Sequence, residues 1–316
     1  MAKNSEKKSK RVSLPTPKNI LVATDLSPFV LPVAAEVAEA FDAKLTVQHV
    51  VENMDKKYDF VLKEIGEKLK ADAHKRLKEE MLHLGKSTEV EVKAQVSHGH
   101  PVEEILKVVR HTEPDLVVVG AGKKDEGGGH TLGVVAEQIV RLSPTPVLIA
   151  RPFASQDITN IVVCVDGSKA SRKALEWALA LAKAEKLKQI TVLNTYLVPV
   201  GYVEAGMTYE FAEGRIMEFH KKDVTEMLEP YRAFAKDTGI EMNVVFELGD
   251  PGRAIPEYAA KVKADLVVIG SQGRTFWANL ILGSVGVKIA RHCNAAVLMV
   301  KTKEHRLNLI EALEKV

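Results

Sequence analysis

Two carboxylates and two glycine-bearing loops are the residues of this chain whose types and spacing suit chemistry. Asp25 and Asp166 each follow a short β-branched run, ILVAT and IVVCV. Later, two more apolar runs lead into loops, GAGKKDEGGGHTLG from Gly120 to Gly133 and GSQGRTFWANLILGS from Gly270 to Ser284. Each loop leads into a segment with helical spacing. A glycine loop between a strand and a helix lets an anion approach the backbone, where the first helical N–H groups lack intrahelical partners. In the second loop Gly270 and Gly273 stand three apart. Gly283 and Ser284 then offer N–H groups, a hydroxyl and the positive end of a helix dipole to a phosphate. Asp166 can accept a hydrogen bond from an amino group such as that of adenine. The chemistry assembled is that of nucleotide binding.

The elements that must position these residues form one unit written twice. PDLVVVG onward, from Pro114, aligns without a gap with ADLVVIG onward, from Ala264, at a constant offset of 150. That offset pairs Asp115 with Asp265, Gly120 with Gly270, Gly133 with Gly283 and Arg141 with Arg291, and upstream Gly99 and Pro101 with Gly249 and Pro251. The openings KNILVATDLS and TNIVVCVDGS match at an offset of 141, so the second unit carries about nine extra residues near GYVEAGMTYEFAEG. Each unit reads as strand, alanine-rich helix, strand, and a long charged helix closed by Gly85 or Gly239 as a C-terminal cap. Then follow a strand, a helix opened by Pro101 or Pro251, a strand, the glycine loop, a helix, and a fifth strand, PVLIAR or AVLMVK.

Strands alternating with helices imply a parallel sheet covered on both faces. The expected fold is α/β: two tandem doubly wound domains, 17–152 and 157–302, each a five-stranded parallel sheet with helices on both faces. Residues 1–16 read as a disordered basic tail, and 303–316 as a short helix with Leu307, Ile310, Leu313 and Val316 in one stripe. In such sheets ligands bind at the carboxyl ends of the strands, where strand order reverses. In the second unit that edge should hold Asp166, Asn194, Thr195 and Gly270.

Composition narrows the function classes. Net charge is +2 over 316 residues, so no global electrostatic case exists for nucleic acid or an acidic membrane. No run approaches the ~18 apolar residues of a membrane span, and the N-terminus lacks the apolar core of a secretory signal. The two cysteines, Cys164 and Cys293, form no CxxC spacing and fit a reducing compartment. A cytoplasmic protein is expected. No GxxxxGK[ST] occurs, and no glycine fingerprint follows the first strand. His49, His98 and His100 could converge at one edge of the first unit and bind zinc, although loop histidines are more often hydrogen-bonded or solvated. No general base can be assigned, so fast ATP hydrolysis is not predicted.

GSQGRTFWANLILGS resembles the signature of the universal stress protein family: Gly-x-x-Gly, nine residues, then Gly-Ser, without departure in spacing. The two aspartate-ended openings and the GxP before the third helix are similar to that family too. The chain from about residue 17 to 302 fits a tandem member. The resemblance implies ATP in the second unit, with Mg as the counter-ion of the triphosphate. Asp166 would contact adenine with backbone near Thr195 beside it, Gly270 would lie against the ribose, and Gly273, Gly283, Ser284 and Val285 would hold the phosphates.

In the first unit Asp25, Gly120 and Gly133 match, but Lys123 replaces the second glycine and Val134 the serine. The run from Gly127 to Gly129 falls inside the spacer. This unit is expected to be degenerate and mainly structural. The family likeness also implies that the units pack through their fifth strands as an internal pseudo-dimer, and leaves a further homodimer open. The implied role is a nucleotide-responsive stress factor acting through conformation and partners. The alternatives are a slow ATPase or phosphotransferase in the same pocket, or a scaffold for partners that binds no nucleotide.

Overall fold

Short runs that are apolar at nearly every position become strands here, and segments with one apolar stripe become helices. The structure, a computed structural model, describes residues 12–52, 59–122, 132–152, 157–199, 201, 208–272 and 284–302. The first half runs β1 (Asn19–Thr24), α1 (Val30–Phe41), β2 (Lys44–Glu52), α2 (Asp59–Ser87), β3 (Val92–Gly99), α3 (Pro101–Thr112), β4 (Leu116–Gly120), α4 (Val134–Leu142) and β5 (Val147–Ala150). The second runs β6 (Ile161–Cys164), α5 (Lys169–Ala184), β7 (Gln189–Tyr196), α6 (Tyr209–Thr238), β8 (Glu241–Leu248), α7 (Pro251–Lys261), β9 (Leu266–Gly270), α8 (Ser284–His292) and β10 (Ala296–Val300).

All pairs within each half are parallel. The halves do not form two separate sheets. β5 and β10 pair antiparallel, Val147 with Met299, Leu148 with Leu298 and Ile149 with Val297. The result is one ten-stranded sheet in the order β3-β2-β1-β4-β5-β10-β9-β6-β7-β8. Alternate strand residues feed two cores, one per face. Ile20, Val22, Leu148, Ile161, Val163 and Leu298 point toward α1, α2, α5 and α6. Leu21, Val117, Ile149, Val162, Val267 and Val297 point toward α3, α4, α7 and α8. Each core is continuous across the β5–β10 seam.

Several local expectations hold. Pro101 and Pro251 open α3 and α7, and Gly239 caps α6 at φ +69° with its N–H directed to Ala235 O and Lys236 O. Gly85 does not cap α2, which continues to Ser87. The segment expected to be disordered through residue 16 is placed from Val12 on, because Val12 and Leu14 pack against the core. Residues 1–11 and the expected C-terminal helix, 303–316, lie outside the described residues.

The aligned pair Asp115 and Asp265 ties the start of each first strand to its fourth. Asp115 Oδ2 accepts from the backbone N–H groups of Lys18 (2.8 Å) and Asn19 (3.0 Å). Asp265 Oδ2 accepts from Thr159 N (2.9 Å), Thr159 Oγ1 (2.8 Å) and Asn160 N (2.9 Å), and is buried where Asp115 is exposed. Asp265→Ala strands three donors and is expected to cost about 2–3 kcal/mol, and Asp115→Ala nearer 1, since water can replace a lost partner only at the exposed site. Urea unfolding measures both; equal losses would contradict the burial argument.

Where the chain enters the second half, Glu36 of α1 accepts a hydrogen bond from Ile158 N–H through Oε1, and its Oε2 is buried without a partner. Glu36 lines a groove with Leu31, Pro32, Glu39, Glu80, His83 and Asp157. Burial pushes its carboxyl up to about 8, against the lowering effect of the Ile158 bond and with repulsion from Glu185, Asp157 and Asp265. Burial likewise raises Glu185 to about 7. A carboxyl raised on folding contributes stability that is present below its ordinary 4.5 and lost as pH rises through about 8. The melting temperature should therefore fall between about pH 4.5 and pH 8, and Glu36→Gln should fall less, by about 2–4 °C. Parallel melting curves for the two proteins would remove Glu36 from the account.

Candidate functional site

Strand order reverses between β1 and β4 in the first half and between β6 and β9 in the second, so each half has a crevice at the carboxyl ends of those strands. In the second half Asp166 follows β6, and its Oδ1 accepts from Ser168 N–H at 3.0 Å. Gly167 makes that turn at φ +81°. Ser168 then caps α5, accepting from Ser171 N–H at 3.1 Å and donating through Oγ to Gln272 O at 3.3 Å. One serine thus ties the start of α5 to the loop that leaves β9. That loop is held from its other side by Ser271 N–H, which donates to Val300 O of β10 at 2.9 Å.

Asn194 and Thr195 end β7 at the same edge. Asn194 Nδ2 donates to Val165 O at 2.7 Å, while its Oδ1 is buried with no partner. Ser271 Oγ is also buried and unpartnered. Sequence reasoning missed the wall beside Thr195. Tyr196 donates its hydroxyl to Glu213 Oε1 of α6 at 3.0 Å, and its ring lies 5.8 Å from His220. Burial, then the Glu213 bond, push that phenol up to about 12. No local spacing links Tyr196 to Glu213, because they meet only after α6 packs.

Gly270 has a packing cause of its own. A Cβ there would lie 2.7 Å from both the backbone carbon and the Cβ of Ala170, so α5 starts against the Gly270 backbone. Val285 is half-buried in the first turn of α8, which begins at Ser284. Gly273 and Gly283 lie outside the described residues, as does Lys123.

The first half repeats the frame and changes the contents. Asp25 Oδ1 accepts from Ser27 N–H at 3.0 Å, but the intervening residue is Leu26, at φ +65°. α1 begins only at Val30, and its N-cap position makes no side-chain hydrogen bond. Gly120 is less crowded than Gly270, its nearest contact being Val30 Cγ2 at 3.0 Å. Gly133 donates its N–H to Ala121 O at 2.9 Å, so the loop closes on itself where a phosphate would need that donor. Val134, first in α4, is 74% exposed.

The three histidines stand at separate places in the first half. His49 Nδ1 lies 2.9 Å from Thr24 O, His98 sits in β3 opposite Val51, and His100 is the N-cap residue of α3. Among the described residues no group of three or more His, Cys, Asp or Glu is placed to hold a metal. Cys164 and Cys293, remote in sequence, come within electrostatic reach of each other; burial pushes both thiols up, away from the reactive thiolate. No described helix is long and apolar enough to cross a membrane.

Comparison with known families matches the universal stress protein family twice, over residues 16–151 and 158–301. The chain belongs to that family, as a tandem member. A universal stress protein of Methanocaldococcus jannaschii is 32% identical over 142 residues, 45% of this chain and 81% of the relative. One from Staphylococcus aureus is 31% identical over 147 residues, 46% of this chain and 85% of the relative. Among solved structures, a universal stress protein from Archaeoglobus fulgidus superposes with a TM-score of 0.61 at 22% identity, covering 90% of this chain and 98% of that one. A functionally unknown Pseudomonas aeruginosa protein gives 0.63 at 18%, covering 95% and 98%. These likenesses extend over both universal stress protein repeats and concern the fold.

The glycine environments separate the repeats in a measurable way. Gly270→Ala forces α5 away from β9 and should destabilise by about 1–3 kcal/mol, the range for overpacking. Gly120→Ala meets the end of a valine side chain, which can turn aside, and should cost less than about 1 kcal/mol. Chemical denaturation of both variants checks the order; a costlier Gly120→Ala would refute it.

Proposed function

We propose that the second repeat binds ATP at the carboxyl ends of β6 and β9, and that the protein is a nucleotide-responsive stress factor. The observation that carries this reading is the pair of buried polar atoms without partners at that edge, Asn194 Oδ1 and Ser271 Oγ. Such atoms cost stability unless something else satisfies them. The first repeat has neither. His49 stands opposite Thr24 where Asn194 stands opposite Val165, and Ala121 stands where Ser271 does.

Adenine would lie by Asp166 and the Thr195 backbone, with the ribose beside Gly270 and Ser271. The phosphates would meet the loop at Gly273 and the start of α8, at Gly283, Ser284 and Val285. Mg would ride on the triphosphate rather than in a cage of side chains. The first repeat, with Lys123 and Val134 in place of the glycine and serine, would be structural. The division into domains 17–152 and 157–302, acting as an internal pseudo-dimer, is supported by the antiparallel β5–β10 seam. Binding would act by shifting a conformational population read by partners in the cytoplasm.

The test is to release and count nucleotide from the purified full chain. One adenine nucleotide per chain is expected, and two would overturn the assignment of the first repeat. Ser284→Val should raise the ATP Kd by about tenfold, equivalent to about 1.4 kcal/mol, while Gly128→Ala should leave it within about twofold. Equal losses from the two variants would sink the site assignment.

A further inference from the structure

The two cations that follow the central strands leave their own repeats. Arg151, next after β5, is fully buried. Its Nη2 donates to Ala290 O at 2.5 Å and its Nη1 to Ala295 O at 3.2 Å, both in the second repeat, and its Nε makes no hydrogen bond. Lys301, next after β10, donates through Nζ to Val140 O of α4 at 2.6 Å. The 150-residue offset that relates the repeats pairs Arg151 with Lys301 and Ala290 with Val140. The crossing is thus made twice, once in each direction. The two differ in how firmly they hold a proton: burial pushes the Lys301 amine down to about 7, whereas a guanidinium stays protonated.

Two of the receiving carbonyls, Ala290 O and Val140 O, are among those that a helix leaves unsatisfied in its last turn, and Ala295 O lies between α8 and β10. For Arg151 the helix is α8, nine residues long, whose first residue is Ser284. Nine residues span only about 14 Å, too short for a helix to be stable without tertiary anchors. One end of α8 faces the crevice, and the other is held by a guanidinium, whose charge also favours the negative end of the helix dipole. A second cross-repeat tie adds to it: Arg291 of α8 donates to Glu137 Oε2 of α4 at 2.7 Å, while Arg141 takes Oε1 of the same carboxylate at 2.9 Å. Behind Arg151, Ala150 O accepts from Ala121 N–H at 3.1 Å, so the same strand end anchors the first repeat's glycine loop.

We propose that Arg151 is a positioning residue of the second repeat's nucleotide site, supplied by the first repeat, which fixes the orientation of α8 and hence the donors that α8 presents to phosphate. This rests on the nucleotide reading above. It gives the degenerate repeat a part in binding without a ligand of its own, and it makes the second site dependent on the seam.

The test uses the full chain titrated calorimetrically with Mg-ATP, alongside hydrogen exchange of residues 284–292. Arg151→Met should raise the ATP Kd about five- to tenfold, within the usual range of coupling between separated groups. Arg151→Lys should recover most of the loss. Lys301→Met disturbs the same seam but grips α4, and should lower the melting temperature while leaving the ATP Kd within about twofold. An unchanged Kd in Arg151→Met, or equal losses in the two methionine variants, would overturn the proposal.

If the wild-type chain binds no Mg-ATP, the nucleotide reading fails by itself, and exchange decides the role of Arg151. Faster exchange of α8 in Arg151→Met but not in Lys301→Met sustains the positioning role; equal exchange in both removes it. Should Arg151→Met not fold, Arg151→Gln, which keeps a donor and loses the charge, is read by the same outcomes.

Discussion

A half-sheet in the order 3-2-1-4-5 ends on a strand whose ladder groups face outward and whose side chains are apolar on both sides. β5 has this character, buried at all four positions, and so has β10 at all five. Left as edges, both would expose a template for association. Pairing them satisfies the two ladders together, and the antiparallel sense relates the halves by an approximate twofold. Continuity of the two cores follows, since Leu148 and Leu298 lie on one face and Ile149 and Val297 on the other. So does the crossing of Arg151 and Lys301, because an antiparallel pair carries each strand's end past the start of the other. The junction carboxylates and the α4–α8 ion pair also join residues from the two sides of this seam.

Much of that was legible in the residues, for a physical reason. Parallel strands covered on both faces need continuous apolar runs, and crossovers need helices, so order and class are written locally. Prolines at first helical positions and Gly239 at a left-handed cap are local too. Gly85 misled because a glycine within a helix costs only about 1 kcal/mol, which a 29-residue helix packed on a sheet can absorb. Partnerships across long sequence separations could not be read. Asp115 meets the N–H of Lys18 across 97 positions, and alignment of the repeats marks Asp115 and Asp265 without saying what they hold. The histidine cluster failed for the converse reason: His49, His98 and His100 are near in the fold's order, but they stand at separate places, on β2 with Nδ1 at Thr24 O, in β3 opposite Val51, and at the α3 N-cap.

The repeat also sorts evidence about the site. Residues common to both copies have structural accounts that need no ligand. The aspartates at 25 and 166 close the same turn onto a serine N–H, and those at 115 and 265 clasp strand ends. Gly270 is required by the approach of Ala170. Agreement with a nucleotide signature at these positions is therefore weak testimony, since the fold alone would keep them. The informative positions are those where the copies differ while the frame around them does not. Asn194 and Ser271 bury polar atoms that no group among the described residues satisfies, where the first repeat has His49 bonded to a carbonyl and Ala121 with nothing to satisfy. Val134 presents an exposed side chain at a helix start, where the second repeat has Ser284. Buried polar atoms without partners occur elsewhere in the fold, Glu36 Oε2 and Gln48 Oε1 among them, but a scaffold needing only two copies of the sheet would gain nothing from placing such a pair at the crevice edge of one copy. Their placement at one crevice edge and not at the matching positions of the other is what supports the proposed reading of a polar ligand in the second repeat.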